Sequence, residues 1–199
     1  MSEFLQDYIR QTNEILDALD ADAFEAVVAG LGAVRERGGR LFILGVGGSA
    51  GHASHAVNDF RKICGFEAYT PTDNVSELTA RINDDGWDSA FAEWLKGSGL
   101  AGADGVLVFS VGGGDAERNV STIIIEALRH AKSVGAGTFG IVGSADGYTA
   151  KNADACIVIP PLHPDRRTPH AEGLCAVLWH ALVTHPALKV SQTKWESVR

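Results

Sequence analysis

The chain is short of sulphur, proline and positive charge. Its 199 residues hold three cysteines, one methionine, six prolines and 17 Lys and Arg against 25 Asp and Glu, a formal net charge of −8. Each shortage excludes something. Cys64, Cys156 and Cys175 are odd in number and lack CxxC spacing, so neither a disulfide framework nor a cysteine zinc site is indicated. They read as small apolar side chains in a reducing, cytoplasmic setting. An acidic chain offers no basic footprint for nucleic acid or an anionic membrane surface. No apolar run approaches membrane-spanning length, and the opening "MSEFLQDYIRQTNEILDALD" is acidic and periodic rather than a basic region before an apolar one. No Gly-Lys-Ser/Thr follows a glycine-rich turn, which removes a Walker A loop. Linkers and low-complexity tracts are missing as well, and the length suits one α/β domain, 1–199, with a sizeable core. The partners left are small polar ligands and other proteins.

What is present is alternation. Phe4, Leu5, Tyr8, Ile9, Ile15, Leu16 and Leu19 recur at helical spacing, and Phe24, Val27, Val28, Leu31 and Val34 do so next, predicting two amphipathic helices. "RERGGR" ends the second at Gly38 and Gly39, and "RLFILGV" then reads as a buried strand. "FEAYT" suits a short strand, and "SELTARINDDGWDSAFAEWLKG" reads as helical turns broken near Asp84 to Gly86. "DGVLVFSVGGGDAERNVSTIIIEALRHAKSVG" repeats strand, glycine-rich turn and helix, "GTFGIVGS" and "ACIVIPP" add two apolar runs, and "TPHAEGLCAVLWHALVTH" closes with a helix. Strands alternating with helices predict an α/β fold, a three-layer α-β-α sandwich around a central parallel sheet, preceded by two N-terminal helices. Ligands of such sheets bind beyond the carboxyl ends of the strands. Both glycine-rich turns, Gly45 to Ser49 and Gly112 to Gly114, therefore belong on one ligand-facing edge.

In "GVGGSAGHASH" the glycines let the backbone bend and approach a ligand, and the helix behind them offers free N–H groups to an anion, with phosphate the natural guest. A bare strand-to-helix turn is the plain alternative. Gly45, Gly47 and Ala50 formally meet the dinucleotide pattern, a weak signal when it stands alone. His55 and Asp59, four residues apart, share one helix face and can converge on a metal or a substrate, and His52 lies one turn earlier; a local ion pair is the commoner use of such a spacing. Glu172 and His180, eight residues apart, sit about 80° apart around a helix axis and frame the apolar "GLCAVLW". They either need buried partners or project onto an exposed rim.

These segments carry a resemblance. "GVGGSAGHASHAVNDF" stands where the phosphoheptose isomerases of the sugar isomerase (SIS) superfamily have a Gly-Asn-Gly-Gly-Ser turn and a His-x-x-x-Glu helix. "LTARINDDGW" stands where they have Thr-Ala-x-x-Asn-Asp, and the final helix matches one with Gln and His eight residues apart. The sequence resembles that family over nearly its whole length. The resemblance implies a flavodoxin-like SIS fold and an aldose–ketose isomerase that converts sedoheptulose 7-phosphate, or a close relative, to D-glycero-D-manno-heptose 7-phosphate. It also implies a divalent metal, zinc, and a homotetramer with sites at its interfaces, the helical pair 1–38 serving oligomerisation. By position, His55 falls on a zinc ligand, Asp59 on a glutamate that is ligand and base, Glu172 on a glutamine ligand, and His180 on a histidine that is ligand and acid/base. Asp59 and His180 are thus the implied catalytic pair. Implied substrate contacts are Gly47, Gly48, Ser49, Asn83, Asp84, Ser110, Gly112, Gly113, Arg118 and Glu172.

The match also departs from the family. Its phosphate loop has the form Ser-x-Ser-Gly-x-Ser, and this chain has "SVGGGDAERN", in which only Ser110 keeps its place. Glycine N–H groups and Arg118 remain to hold an oxyanion, whereas Asp115 repels one unless it points away or caps the helix. Val46 replaces an asparagine and Pro169 an aspartate; Asp59 is one methylene short, and Glu172 replaces an amide by a charge. The ligand set favours the enzyme. The altered loop favours an alternative, a non-catalytic SIS protein that binds a protein partner, of the replication initiator-associating type; a third reading is a sugar-phosphate sensor that binds its ligand without turnover. Trp87, Trp94 and Trp179 read as core or interface aromatics, and His130, His163 and His185 have no evident partner.

Overall fold

The structure, a computed structural model, describes residues 1–198. Two helices, α1 (Glu3–Asp17) and α2 (Ala21–Glu36), open the chain. Each has a side-chain cap: Ser2 Oγ accepts the Leu5 N–H at 3.3 Å, and Asp20 Oδ1 accepts the N–H groups of Asp22 and Ala23 at 2.9 and 3.1 Å. Strand β1 (Leu41–Gly45), helix α3 (Gly48–Lys62), the two-residue β2 (Ala68–Tyr69), α4 (Val75–Asp85) and α5 (Ala90–Gly97) follow. Then come β3 (Gly105–Ser110), α6 (Thr122–Ser133), β4 (Gly137–Val142), α7 (Tyr148–Asn152), β5 (Ala155–Val158), α8 (Arg167–Thr184) and α9 (Lys194–Ser197). The expected strands and long helices are present; the short α7 and α9 have too few residues to show a period.

All five strands are parallel, in the order β2-β1-β3-β4-β5. Side chains of a strand alternate between faces, and here both faces are buried. Leu41 and Ile43 join Leu107 and Phe109 against α2, α3 and α8, while Phe42 and Leu44 join Val106 and Val108 against α5 and α6. The order of the strands reverses between β1 and β3, the place where such sheets open a crevice for ligands. Gly45 pairs in register with Phe109, so the two glycine-rich turns leave the sheet side by side.

Helix α1 reaches the body through a mixed seam. Ile15 is buried, Tyr8 stacks on His170 with ring centroids 4.5 Å apart, and Gln11 Oε1 lies 3.1 Å from His170 Nε2. His163 Nε2 meets Glu14 Oε2 at 2.9 Å, and Arg166 donates to Asp7 at 2.7 Å. Two histidines without an evident partner thus acquire one, since His185 also approaches Glu25 at 3.5 Å; among the described residues His130 Nε2 is buried without any. At the far edge of the sheet Asp104 accepts the Arg40 and Ala101 N–H groups and pairs with the Arg40 guanidinium at 2.8 Å. Burial pushes that carboxyl up, but these hydrogen bonds outweigh it and hold it below its ordinary value. Trp94 and Trp179 are core residues, whereas Trp87 is exposed. No helix among the described residues is long and apolar enough to cross a membrane.

Candidate active site

The turn after β1 delivers α3 to the carboxyl edge of the sheet. Gly47 has φ 62° and ψ −127°, a backbone that side chains rarely tolerate, and α3 starts at the next residue without a side-chain cap. Two turns on, His55 and Asp59 project from one face of α3, and α8 packs against that helix and adds His180. Asp59 Oδ2 lies 3.7 Å from His55 Nε2 and 3.8 Å from His180 Nε2. The ligand atoms of all three lie within 4.8 Å of one another, the one such group of His, Cys, Asp and Glu among the described residues. The aspartate is the floor and the imidazoles the rim, with side-chain exposures of 15%, 58% and 49% in the order Asp59, His55, His180.

Hydrogen bonds around this group fix which atoms face the gap. His180 Nδ1 lies 2.7 Å from the Ala176 carbonyl; a carbonyl only accepts, so Nδ1 carries a proton and a neutral ring presents its Nε2 lone pair to Asp59. The other aspartate oxygen, Oδ1, accepts from Asn58 Nδ2 at 2.8 Å. An imidazole lone pair facing a carboxylate is repulsive until a cation or a proton stands between them. Two imidazole nitrogens and a carboxylate oxygen form a donor set suited to zinc and other divalent ions. Around a tetrahedral ion with bonds near 2.0 Å, ligand atoms stand about 3.3 Å apart, and the two spacings to Asp59, 3.7 and 3.8 Å, are slightly wider.

Beneath the rim lies Trp179, fully buried. Its ring stacks on His180 and meets His55 edge-on. Its Nε1–H has no partner among the described residues, an omission that costs about 1–3 kcal/mol. Reading Trp179 only as core or interface was incomplete, because nothing in the sequence shows that the same ring also touches His55.

Glu172, the implied fourth ligand, stands outside the group of three. It lies eight residues before His180, about 12 Å back along α8, and its Oε1 rests 2.7 Å from where a Cβ on Gly48 would sit. The carboxylate thus lies against the uncapped first turn of α3, where a negative charge is favoured. Ser49 is buried there, and His52 stays outside the cluster.

The second turn is folded on itself. Gly113 N–H donates to Ser110 Oγ at 3.0 Å, and the Gly113 carbonyl accepts from the Thr149 hydroxyl at 2.8 Å. Asp115 pairs with Val120 across a small loop, and its carboxylate caps the Glu117 and Arg118 N–H groups at 3.0 Å. That satisfies the aspartate locally. Arg118 turns outward, 84% exposed and 3.6 Å from Asp115. Asn83 and Asp84 lie exposed at the end of α4, joined by a 2.7 Å hydrogen bond. Beside them, Asp85, Trp87, Asp88, Asn119 and Arg129 line an open cleft of about 530 Å³.

The sheet has the strand order 2-1-3-4-5, and a histidine–carboxylate cluster is shared by the helix after β1 and the last long helix, as expected of the SIS class. No family model matches the chain. The phosphoheptose isomerase of Neisseria gonorrhoeae superposes with a TM-score of 0.77 at 24% identity, over 90% of this chain and 93% of that one, and is similar in fold. The phosphoheptose isomerase of Roseiflexus sp. is 34% identical over 129 residues, a match that spans only 62% of each chain. That of Bradyrhizobium sp. (strain ORS 278) is 33% identical over 175 residues, 83% of this chain and 84% of the relative. The chain belongs to the phosphoheptose isomerase family.

Proposed function

We propose that this chain interconverts sedoheptulose 7-phosphate, or a closely related ketose phosphate, and the corresponding aldose, D-glycero-D-manno-heptose 7-phosphate. The observation that carries this reading is the convergence of His55, Asp59 and His180 on one gap, in a chain of this family.

Conversion of a ketose to an aldose moves one proton from C1 to C2 and another between the oxygens on those carbons. Asp59 takes the C1 proton, leaving an enediolate, and returns it to C2. His180 Nε2, freed by the bond from Nδ1 to Ala176, carries the proton from O1 to O2. When bound, a divalent cation, zinc by its donor set, would be held by His55, Asp59 and His180 and would supply Lewis-acid polarisation of the sugar carbonyl; because Nδ1 is committed to Ala176, His180 Nε2 serves as ligand and as proton carrier in turn, not at once. Three protein donors are the number found at catalytic rather than structural zinc sites. Glu172, at the start of α3 beside Gly47, Gly48 and Ser49, is suited to sugar hydroxyls rather than phosphate, because its charge already occupies that turn. Ser110 Oγ accepts from Gly113 and still has its own O–H to donate, so Ser110, Gly112 and Arg118 are the phosphate side. Asn83 and Asp84 flank the sugar. A second copy of the chain covers the exposed Phe4, Leu5 and Ile9 of α1, within a homotetramer in the cytoplasm.

The closed loop from Asp115 to Val120 favours a second reading, in which the chain binds a protein partner without turnover, because it leaves few groups free for phosphate. One experiment separates the two: metal analysis of the purified protein with an isomerase assay on sedoheptulose 7-phosphate. Stoichiometric zinc and turnover, both lost in His55→Ala, support the isomerase. Metal-free protein that added zinc does not activate would overturn it.

A further inference from the structure

We propose that Trp179 is a positioning residue of the metal centre: its buried indole is the shared platform that orients the imidazoles of both His55 and His180, and so sets the affinity of the site for a divalent cation. This rests on the metal reading above. Three observations carry it. The indole stacks on His180 with centroids 3.5 Å apart and planes at 28°, and meets His55 at 4.8 Å and 69°. One ring therefore touches both.

The second observation concerns what else holds His55. Its side chain is 58% exposed and approaches Asp59 only at 3.7 Å, with no hydrogen bond of its own among the described residues. His180 is tied through Nδ1 to Ala176; His55 has the indole ring at 4.8 Å in place of such a tether. A ring free to swing in water loses that freedom when it takes a ligand role, and a rigid aromatic neighbour removes the loss in advance.

The third is the unpartnered Nε1–H at a residue of 0% exposure. A phenyl or isobutyl group would fill this part of the core without burying an unpaired donor, so core filling alone gives no reason for indole. The electron-rich indole face does give one. An imidazole that binds a cation becomes electron-poor, and an aromatic face stacked on it stabilises that state.

The test uses the full chain with Trp179→Phe and Trp179→Leu. Zinc affinity is measured by competition with a chromophoric chelator, alongside thermal unfolding of the metal-free protein and the separate kcat and KM for the sugar phosphate. Affinity is expected to fall in the order Trp, Phe, Leu, with the Leu variant roughly 10–100-fold weaker and KM little changed. Equal zinc affinity in all three folded proteins would overturn this inference alone and leave the metal reading standing. A wild type that binds no divalent ion would overturn both. Should neither variant fold, cobalt(II) quenching of the wild-type tryptophan emission decides. Quenching in the wild type and in Trp195→Phe, absent in His55→Ala, supports the platform; bound cobalt without quenching overturns it.

Discussion

His55 and His180 lie far apart in sequence, and their imidazoles meet edge to face with centroids 5.5 Å apart. The pair is unequal in chemistry, because only His180 has its Nδ1 proton pinned by a backbone carbonyl. Replacing either by Ala should weaken zinc binding. At saturating zinc, His55→Ala should recover part of its kcat, whereas His180→Ala should stay about 10²–10⁴-fold down, the usual worth of a positioned acid/base group. Equal recovery of both would remove the acid/base role from His180.

Asp59 is expected to act through charge and reach together. Asp59→Asn keeps the shape and loses the base, so kcat should drop by about 10²–10⁴-fold with the fold intact. Asp59→Glu restores a carboxylate one methylene longer and should retain measurable turnover. An assay in which Asn outperforms Glu would count against Asp59 as the base.

Gly48 leaves room for the Glu172 carboxylate, and an added Cβ would meet Oε1 at 2.7 Å. That atom ends a flexible side chain, so Gly48→Ala should fold normally and gain up to about 1 kcal/mol of helix propensity. Activity should fall as Glu172 is pushed from the α3 turn. A Gly48→Ala protein with unchanged kcat and KM would show that the position of this carboxylate does not matter to the reaction.

Burial, then the charges of His163 and Arg166, hold the His170 imidazole below its ordinary value of 6.5. The unfolded chain takes up a proton as pH falls through that value, and the folded chain does so only at lower pH. The His170 contribution to stability is therefore complete above 6.5 and is lost as pH falls from there through the folded value. The wild-type Tm should decline more steeply than that of His170→Gln as acidity increases through this window. Parallel Tm curves would contradict it.

The three thiols should be inert in the folded protein. Burial pushes Cys64, Cys156 and Cys175 each up to about 12, leaving almost no thiolate at neutral pH. A disulfide exchange reagent should titrate none of them until the protein unfolds, and all three afterwards. Rapid labelling of one thiol without unfolding would show a reactive site that this burial excludes.

The layers of the fold were legible because each element is dictated locally. Leu41 to Leu44 are apolar at every position and so are buried on both faces, and Gly86, at φ 85°, ends α4 where the turn residues indicated. The pair His55 and Asp59 was legible from its spacing, since four residues on a helix face share a side. Their meeting with His180 was not, because periodicity says nothing of how α3 and α8 cross; the family resemblance supplied that link. Glu172 shows the limit of a resemblance. A helix position carries over with the alignment, whereas the place where a carboxylate settles, in a side chain no longer than the amide it replaces, is decided by what it finds nearby, here the first turn of α3.

The site draws one helix from behind the first strand and another from behind the last. A nascent chain that has emerged only as far as β5 holds His55 and Asp59 on one helix but no third donor to hold a cation. A cation held by all three would therefore bind only once α8 has docked, and its affinity would add to the stability of that docked state alone. Metal loading would mark the end of maturation, so that the ability to retain an ion and the completion of the core become one and the same event.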